Sequence, residues 1–92
     1  MSLQFEWDEQ KAELNAIKHG VSFEEFKTVF VDLCSITIDD LEHSIEENRY
    51  IDIGISDRGR LLVVVYTERG DSIRIISSRC ATNREIRIYE QD

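Results

Sequence analysis

The six residues Leu61-Leu62-Val63-Val64-Val65-Tyr66 are apolar at every position. A strand shows alternate side chains to opposite faces, so a run with no polar alternate must be covered on both sides. Six residues are far too few for a membrane span, which takes roughly 20. Turn signals bracket the run, Asp57-Arg58-Gly59 before it and Arg69-Gly70-Asp71 after it. The run therefore reads as the central strand of a sheet. Ile51, Ile53 and Ile55 alternate with Asp52, Gly54 and Ser56, which predicts a neighbouring strand with one wet face. A last strand is expected over 72–78, and Ser35-Ile36-Thr37-Ile38 reads as an edge strand. The spacing of the turns predicts a meander of hairpins. The chain has no proline, so every strand is free to pair on both sides.

The first third of the chain has a different grammar. Leu3, Phe5 and Trp7 alternate with Gln4, Glu6 and Asp8, an opening strand with one buried face. Asp8 can cap a helix over about 9–18, and Gly20 suits its left-handed end. Ala12, Leu14, Ala16 and Ile17 are its expected apolar side; Lys11, Asn15 and Lys18, with His19 close by, are its polar side. Ser22 and Glu25 form a capping box opening a second helix, with Phe23, Phe26, Val29 and Phe30 as its buried stripe. Asp39 to Glu47 is an acidic stretch that reads as an exposed loop. Thr82 and Glu85 form another capping box, opening a short final helix that carries Ile86 and Tyr89. The order predicts an α+β class: an antiparallel sheet of about four to five strands, two N-terminal helices and a short C-terminal helix, with one layer of helices on the sheet.

At 92 residues and 41% apolar content, one domain with one core is expected over 1–92. The N-terminus carries no basic residue ahead of an apolar stretch, so no secretory signal is read and a cytoplasmic location is expected. Cys34 and Cys80 make no CxxC motif, and with two distant histidines they give no metal-site spacing; neither a metal nor a cofactor is expected. The net charge of −8 argues against a general nucleic-acid binder. Its distribution is uneven, however. Residues 1–49 hold four basic and twelve acidic side chains, whereas 50–92 hold seven of each. A local basic pocket in the second half is compatible with that balance, and the acidic surface favours a basic protein partner.

Several strings, in order, resemble the BrnT family of bacterial toxins. They are Phe5-Glu6-Trp7-Asp8; Lys11; Asn15; Lys18-His19-Gly20-Val21-Ser22-Phe23-Glu24-Glu25; Gly59 to Thr67; Arg74-Ile75-Ile76-Ser77-Ser78-Arg79; Ala81-Thr82; Arg84-Glu85; and Tyr89-Glu90. The resemblance runs from about residue 3 to residue 90. It implies a RelE/ParE-like fold and the toxic half of a type II toxin–antitoxin pair, an endoribonuclease that shuts down translation. It further implies a ribbon-helix-helix antitoxin as partner, with operator DNA contacted only through the complex, and no membrane partner. This chain departs from the pattern at Cys80 and Asn83, where basic residues are common in the family, and in a final helix poorer in arginine. Those departures keep open an alternative: a catalytically weak or inactive module of the same fold that binds antitoxin and acts as corepressor.

Metal-free RNA cleavage needs a base for the 2′-hydroxyl, cationic donors for the phosphoryl oxygens and an acid for the leaving 5′-oxygen. The first helix and the C-terminal segment are expected to supply them across one cleft. His19, Arg79, Lys18 and Tyr89 are the catalytic candidates, and Lys11, Arg60 and Arg84 the RNA-binding ones. His19 is of the residue type suited to act as base or acid, Arg79 can grip phosphate in a bidentate way, and Tyr89 can stack on a base or donate a proton. Each has a plain alternative: a helix end for His19, solvated surface for the lysines and Arg84, a strand end for Arg60, an anchoring salt bridge for Arg79, and packing for Tyr89. Glu85 reads as a cap, and Trp7 as core. The antitoxin is expected to cover the cleft, touching Arg79 or the Lys11 face.

Overall fold

The computed structural model describes residues 4–40 and 48–91. Strand β1 (Gln4–Glu6) leads into helix α1 (Glu9–His19) and helix α2 (Phe23–Lys27), which tightens into a 3₁₀ turn over Thr28–Val31. Strands β2 (Ile36–Asp39), β3 (Arg49–Ile55), β4 (Leu61–Arg69) and β5 (Ser72–Cys80) follow, and helix α3 (Asn83–Glu90) closes the chain. The sheet order is β1-β5-β4-β3-β2. β2 to β5 form the antiparallel meander expected, with β4 in the middle and β2 at an edge, while β1 joins β5 in parallel. The acidic loop expected over 39–47 lies largely outside the described residues; its first residue, Asp39, ends β2.

Pairing register fixes which side chains share a face. Tyr50, Asp52 and Gly54 of β3 stand opposite Tyr66, Val64 and Leu62 of β4, and Ser78 stands opposite Val64. This is the face under α1 and α2, where Val21, Phe23, Phe26 and Val29 pack with Leu62, Val64, Tyr66, Ile73 and Ile75 into the core. Trp7 meets Phe23 edge-on at 6.0 Å, as its reading as core requires. Ile53, Val63 and Arg79 point to the opposite face. Ile53 and Val63 are buried there too, as the doubly apolar β4 run demands.

Two side assignments change. The wet face expected of β3 is the buried one: Asp52 lies under the helices, accepting hydrogen bonds from Thr37 Oγ1 at 2.6 Å and Tyr66 Oη at 3.1 Å. Burial pushes its carboxyl up from the ordinary range, against those two donors. In α1, Leu14 and Ile17 face solvent and Asn15 is the buried residue. Its amide nitrogen donates to Val21 O and Ser78 Oγ, and its oxygen accepts from Ser78 N–H at 3.0 Å. A buried amide is tolerated when its donors and acceptor are all used. Asn15 so pins α1 to β5.

Candidate functional site

Six of the seven candidate residues fall into two groups on opposite sides of the sheet; Tyr89 stands apart from both. α1 lies over the face to which Ser78 points, and Arg79, the next residue, projects from the other face. The single cleft expected between the first helix and the C-terminal segment is therefore not formed by Lys11, Lys18 and Arg79, because the sheet stands between them.

The first group gathers at the end of α1. Asp8 caps its start, accepting from Gln10 and Lys11 N–H, and Gly20 closes it in the left-handed conformation at φ 69°. Lys11, Lys18 and His19 are all exposed on this helix. Arg60, at the start of β4, donates through Nη2 to Gly20 O at 3.3 Å, which brings it beside the His19 corner. Its main partner is Glu25. Arg60 Nε donates to Glu25 Oε2 at 3.0 Å, Nη2 donates to Oε1, and Ser56 Oγ donates to Oε2 at 2.7 Å. Glu25 is buried, and the Arg60 guanidinium, with help from Ser56, holds its carboxyl below the usual range against the effect of burial. The capping box expected at α2 is thus half made: Ser22 Oγ accepts from Glu25 N–H, but the Glu25 carboxylate turns to Arg60. Arg60 has a structural partner that its place in the sequence did not reveal.

The second group lies along α3, which leaves β5 and crosses the far face toward β3, so the helices lie on both faces of the sheet and not in the one layer expected. Arg79 is locked onto Glu85 by two parallel bonds, Nη1 to Oε1 at 2.6 Å and Nη2 to Oε2 at 2.7 Å, and Nη1 also reaches Cys80 O at 3.4 Å. Glu85 Oε1 accepts from Thr82 N–H at 2.8 Å, and Thr82 Oγ1 accepts from Glu85 N–H, completing the capping box expected there. Arg79 drives the Glu85 carboxyl down to about 2. The anchoring salt bridge weighed for Arg79 is real, yet it consumes only part of the guanidinium. The Nε–H and one Nη2 N–H bond no acceptor among the described residues, and the side chain is 41% exposed. Those two groups form a second bidentate edge, of the geometry that suits a phosphate. Arg84 and Arg87, both exposed, sit three residues apart on α3. Arg87 had no sequence signal beyond that spacing.

Tyr89 belongs to neither cationic group. Its hydroxyl donates to Asp32 Oδ2 at 2.8 Å, and that bond pushes the phenol up to about 12. Asp32 also accepts from Ile55 N–H and Cys34 N–H, each at 2.9 Å. Burial pushes the Asp32 carboxyl up, but these three donors together leave it below the usual range. Tyr89 is therefore a tether between α3 and the turn after α2. Asp32 went unnoticed in the sequence because only Cys34 N–H, two residues on, is a local partner, and the contacts that set it apart come from 23 and 57 residues away.

Among the described residues no three His, Cys, Asp or Glu side chains converge to hold a metal ion, and no helix is long and apolar enough to cross a membrane.

An α+β fold of a five-stranded mixed sheet with three helices is a RelE/ParE-like arrangement. The comparisons narrow that class. The family described as "Ribonuclease toxin, BrnT, of type II toxin-antitoxin system" matches residues 7–85, and the chain belongs to it. The fold is similar to that of the Brucella abortus ribonuclease toxin BrnT, whose crystal structure superposes with a TM-score of 0.68 at 24% identity, covering 89% of this chain and 100% of that one. No curated protein matches significantly. The family is one of RNA-cutting toxins that work in a toxin–antitoxin pair.

Proposed function

We propose that this chain is a cytoplasmic endoribonuclease toxin that binds the reacting phosphate of RNA with Arg79, and that a ribbon-helix-helix antitoxin silences it. The observation that carries the site assignment is the Arg79–Glu85 pair: the carboxylate orients the guanidinium of a partly exposed side chain and leaves its Nε/Nη2 edge without an acceptor among the described residues. A pre-oriented cation stabilises charge developing on phosphoryl oxygens without reorganising as the reaction proceeds. Arg84 and Arg87 extend positive charge along the same helix and guide the strand. His19, Lys18, Lys11 and Arg60 make a weaker case. They sit across the sheet from Arg79, and Arg60 is engaged by a buried carboxylate. His19 keeps the chemistry of a general acid or base at its exposed corner. The reading calls on no metal or cofactor, because guanidinium groups supply the charge.

A second reading, an antitoxin-binding corepressor with little activity, is favoured by one observation. The exposed positions flanking this edge are Cys80 and Asn83, which bring no charge to phosphate.

Expression of the chain alone in a bacterial host, with mapping of new RNA 5′-ends, separates the readings. Wild type is expected to produce new ends, and Arg79→Ala to lower their yield at least a hundredfold at equal levels of folded protein. His19→Ala is expected to lower it less than tenfold. Ends that persist in R79A but vanish in H19A move the site to the α1 corner. No new ends from folded wild type leaves the corepressor reading standing.

A further inference from the structure

The far end of α3 borders a groove that the ribonuclease site does not use. It has a volume of about 450 Å³ and is lined by Thr28, Val31, Asp32, Ile55, Ser56 and Asp57. Two apolar side chains of its lining stand open, Val31 at 77% and Ile55 at 42% exposed, and Leu33, the neighbour of Asp32 in the chain, is wholly exposed. Exposed aliphatic residues this close together cost solubility unless something covers them. Between them sits a carboxylate of unusual surroundings. All three groups that bond Asp32, the N–H groups of Ile55 and Cys34 and the Tyr89 hydroxyl, are neutral. They fix its position and keep it ionised without cancelling its charge. Asp57 adds a second acidic side chain at the rim.

A fixed negative charge among exposed aliphatic side chains selects its ligand. Two carboxylates repel phosphate, so the groove is no part of the RNA track. A lysine or arginine flanked by apolar residues satisfies both features at once: the cation meets Asp32 and Asp57, and its neighbours cover Val31, Leu33 and Ile55. The acidic bias of the chain as a whole, −8 at neutral pH, draws the same kind of partner from a distance. We propose that this groove seats a basic, amphipathic segment of the antitoxin. The proposal rests on the toxin–antitoxin reading given above. Placement explains how such a contact could inhibit. From Tyr89 at the groove to Glu85 beside Arg79 is four residues of one helix, about 6 Å. A segment anchored at Asp32 and continuing along α3 lies over the open edge of Arg79.

The test measures binding of the full-length antitoxin that pairs with this chain, and of 15-residue peptides tiling it, to folded wild type, V31K/D57K and L14K/I17K. The last pair alters the other exposed apolar face, on α1. All four positions are solvent-facing, so the variants keep the fold. One peptide carrying lysine or arginine among apolar residues is expected to bind wild type and L14K/I17K equally, and V31K/D57K at least tenfold more weakly. Undiminished binding to V31K/D57K, or loss confined to L14K/I17K, overturns the proposal. So does an antitoxin that binds whole but through no single peptide. RNA cleavage is scored separately: a wild type that binds the peptide and cuts no RNA sinks the ribonuclease reading and leaves the groove assignment standing.

Discussion

Glu85 carries two loads on one carboxylate, the Thr82 N–H at the start of α3 and the Arg79 guanidinium. Its pKa therefore has a consequence for stability. The folded carboxyl lies at about 2, below the 4.5 of a free glutamate. A depressed folded pKa means stability that is present above about pH 4.5 and lost as pH falls through about 2. Glu85→Gln keeps an acceptor for the Thr82 N–H and removes the charge, so it isolates the ion pair. We expect E85Q to be less stable by about 1–2 kcal/mol at pH 7, a figure held down because Arg79 is partly exposed and screened. The difference from wild type should shrink between pH 4.5 and 2. Denaturant titrations at pH 7, 4 and 2.5 measure it; a gap that stays constant with pH would assign the loss to the cap alone. Residue-scale features of this kind were legible where partners are close in sequence. Thr82 with Glu85 was readable as a cap, but Glu25 with Arg60 was not, because the same Ser-x-x-Glu spacing serves a carboxylate that a residue 35 positions away captures.

At the scale of elements, the order of helices and strands and most of their bounds follow from period and punctuation, whereas the choice of buried side does not. α1 shows why. Leu14 and Ile17 look like an apolar stripe, but it is Ala12 that packs against the core and Asn15 that binds β5, its amide finding a matching set of groups on Ser78 and Val21. The match belongs to the partner strand and is invisible in the helix. β3 repeats the lesson, since Gly54 sits on the buried face hard against Val29. A Cβ built on Gly54 would meet Val29 Cγ1 at 2.8 Å, Ser35 Cβ at 3.1 Å and Asp32 Oδ2 at 3.2 Å. Val29 is fully buried and has nowhere to retreat. Gly54→Ala is therefore expected to cost about 1–3 kcal/mol, the usual penalty for overpacking, seen as a lower Tm. It should also loosen Asp32 and, through Tyr89, the end of α3. Hydrogen exchange resolves the two effects: faster exchange in α3 without change in α1 supports the chain of contacts, and uniform acceleration reduces the effect to global stability.

On the scale of the whole molecule, charge is divided more sharply than the sequence halves suggested. The sheet separates an α1 face with Lys11 and Lys18 from an α3 face with Arg79, Arg84 and Arg87. An acidic protein that cuts RNA has to do so with few phosphate contacts, because the rest of its surface repels the backbone. Each contact on single-stranded nucleic acid contributes about −0.7 to the slope of log affinity against log salt. Three arginines on one face, Arg79 of β5 with Arg84 and Arg87 of α3, thus predict a slope of about −2 for a 2′-O-methyl oligonucleotide, which binds but lacks the hydroxyl needed for cleavage. Arg84→Ala should make the slope shallower by about 0.7, and K11A/K18A should leave it unchanged. Fluorescence anisotropy between 50 and 200 mM salt reads all three proteins. A slope steeper than about −4 that relaxes in K11A/K18A would mean that the strand wraps round the sheet to both faces. The α1 corner, with His19 and Arg60, would then belong to the RNA track after all.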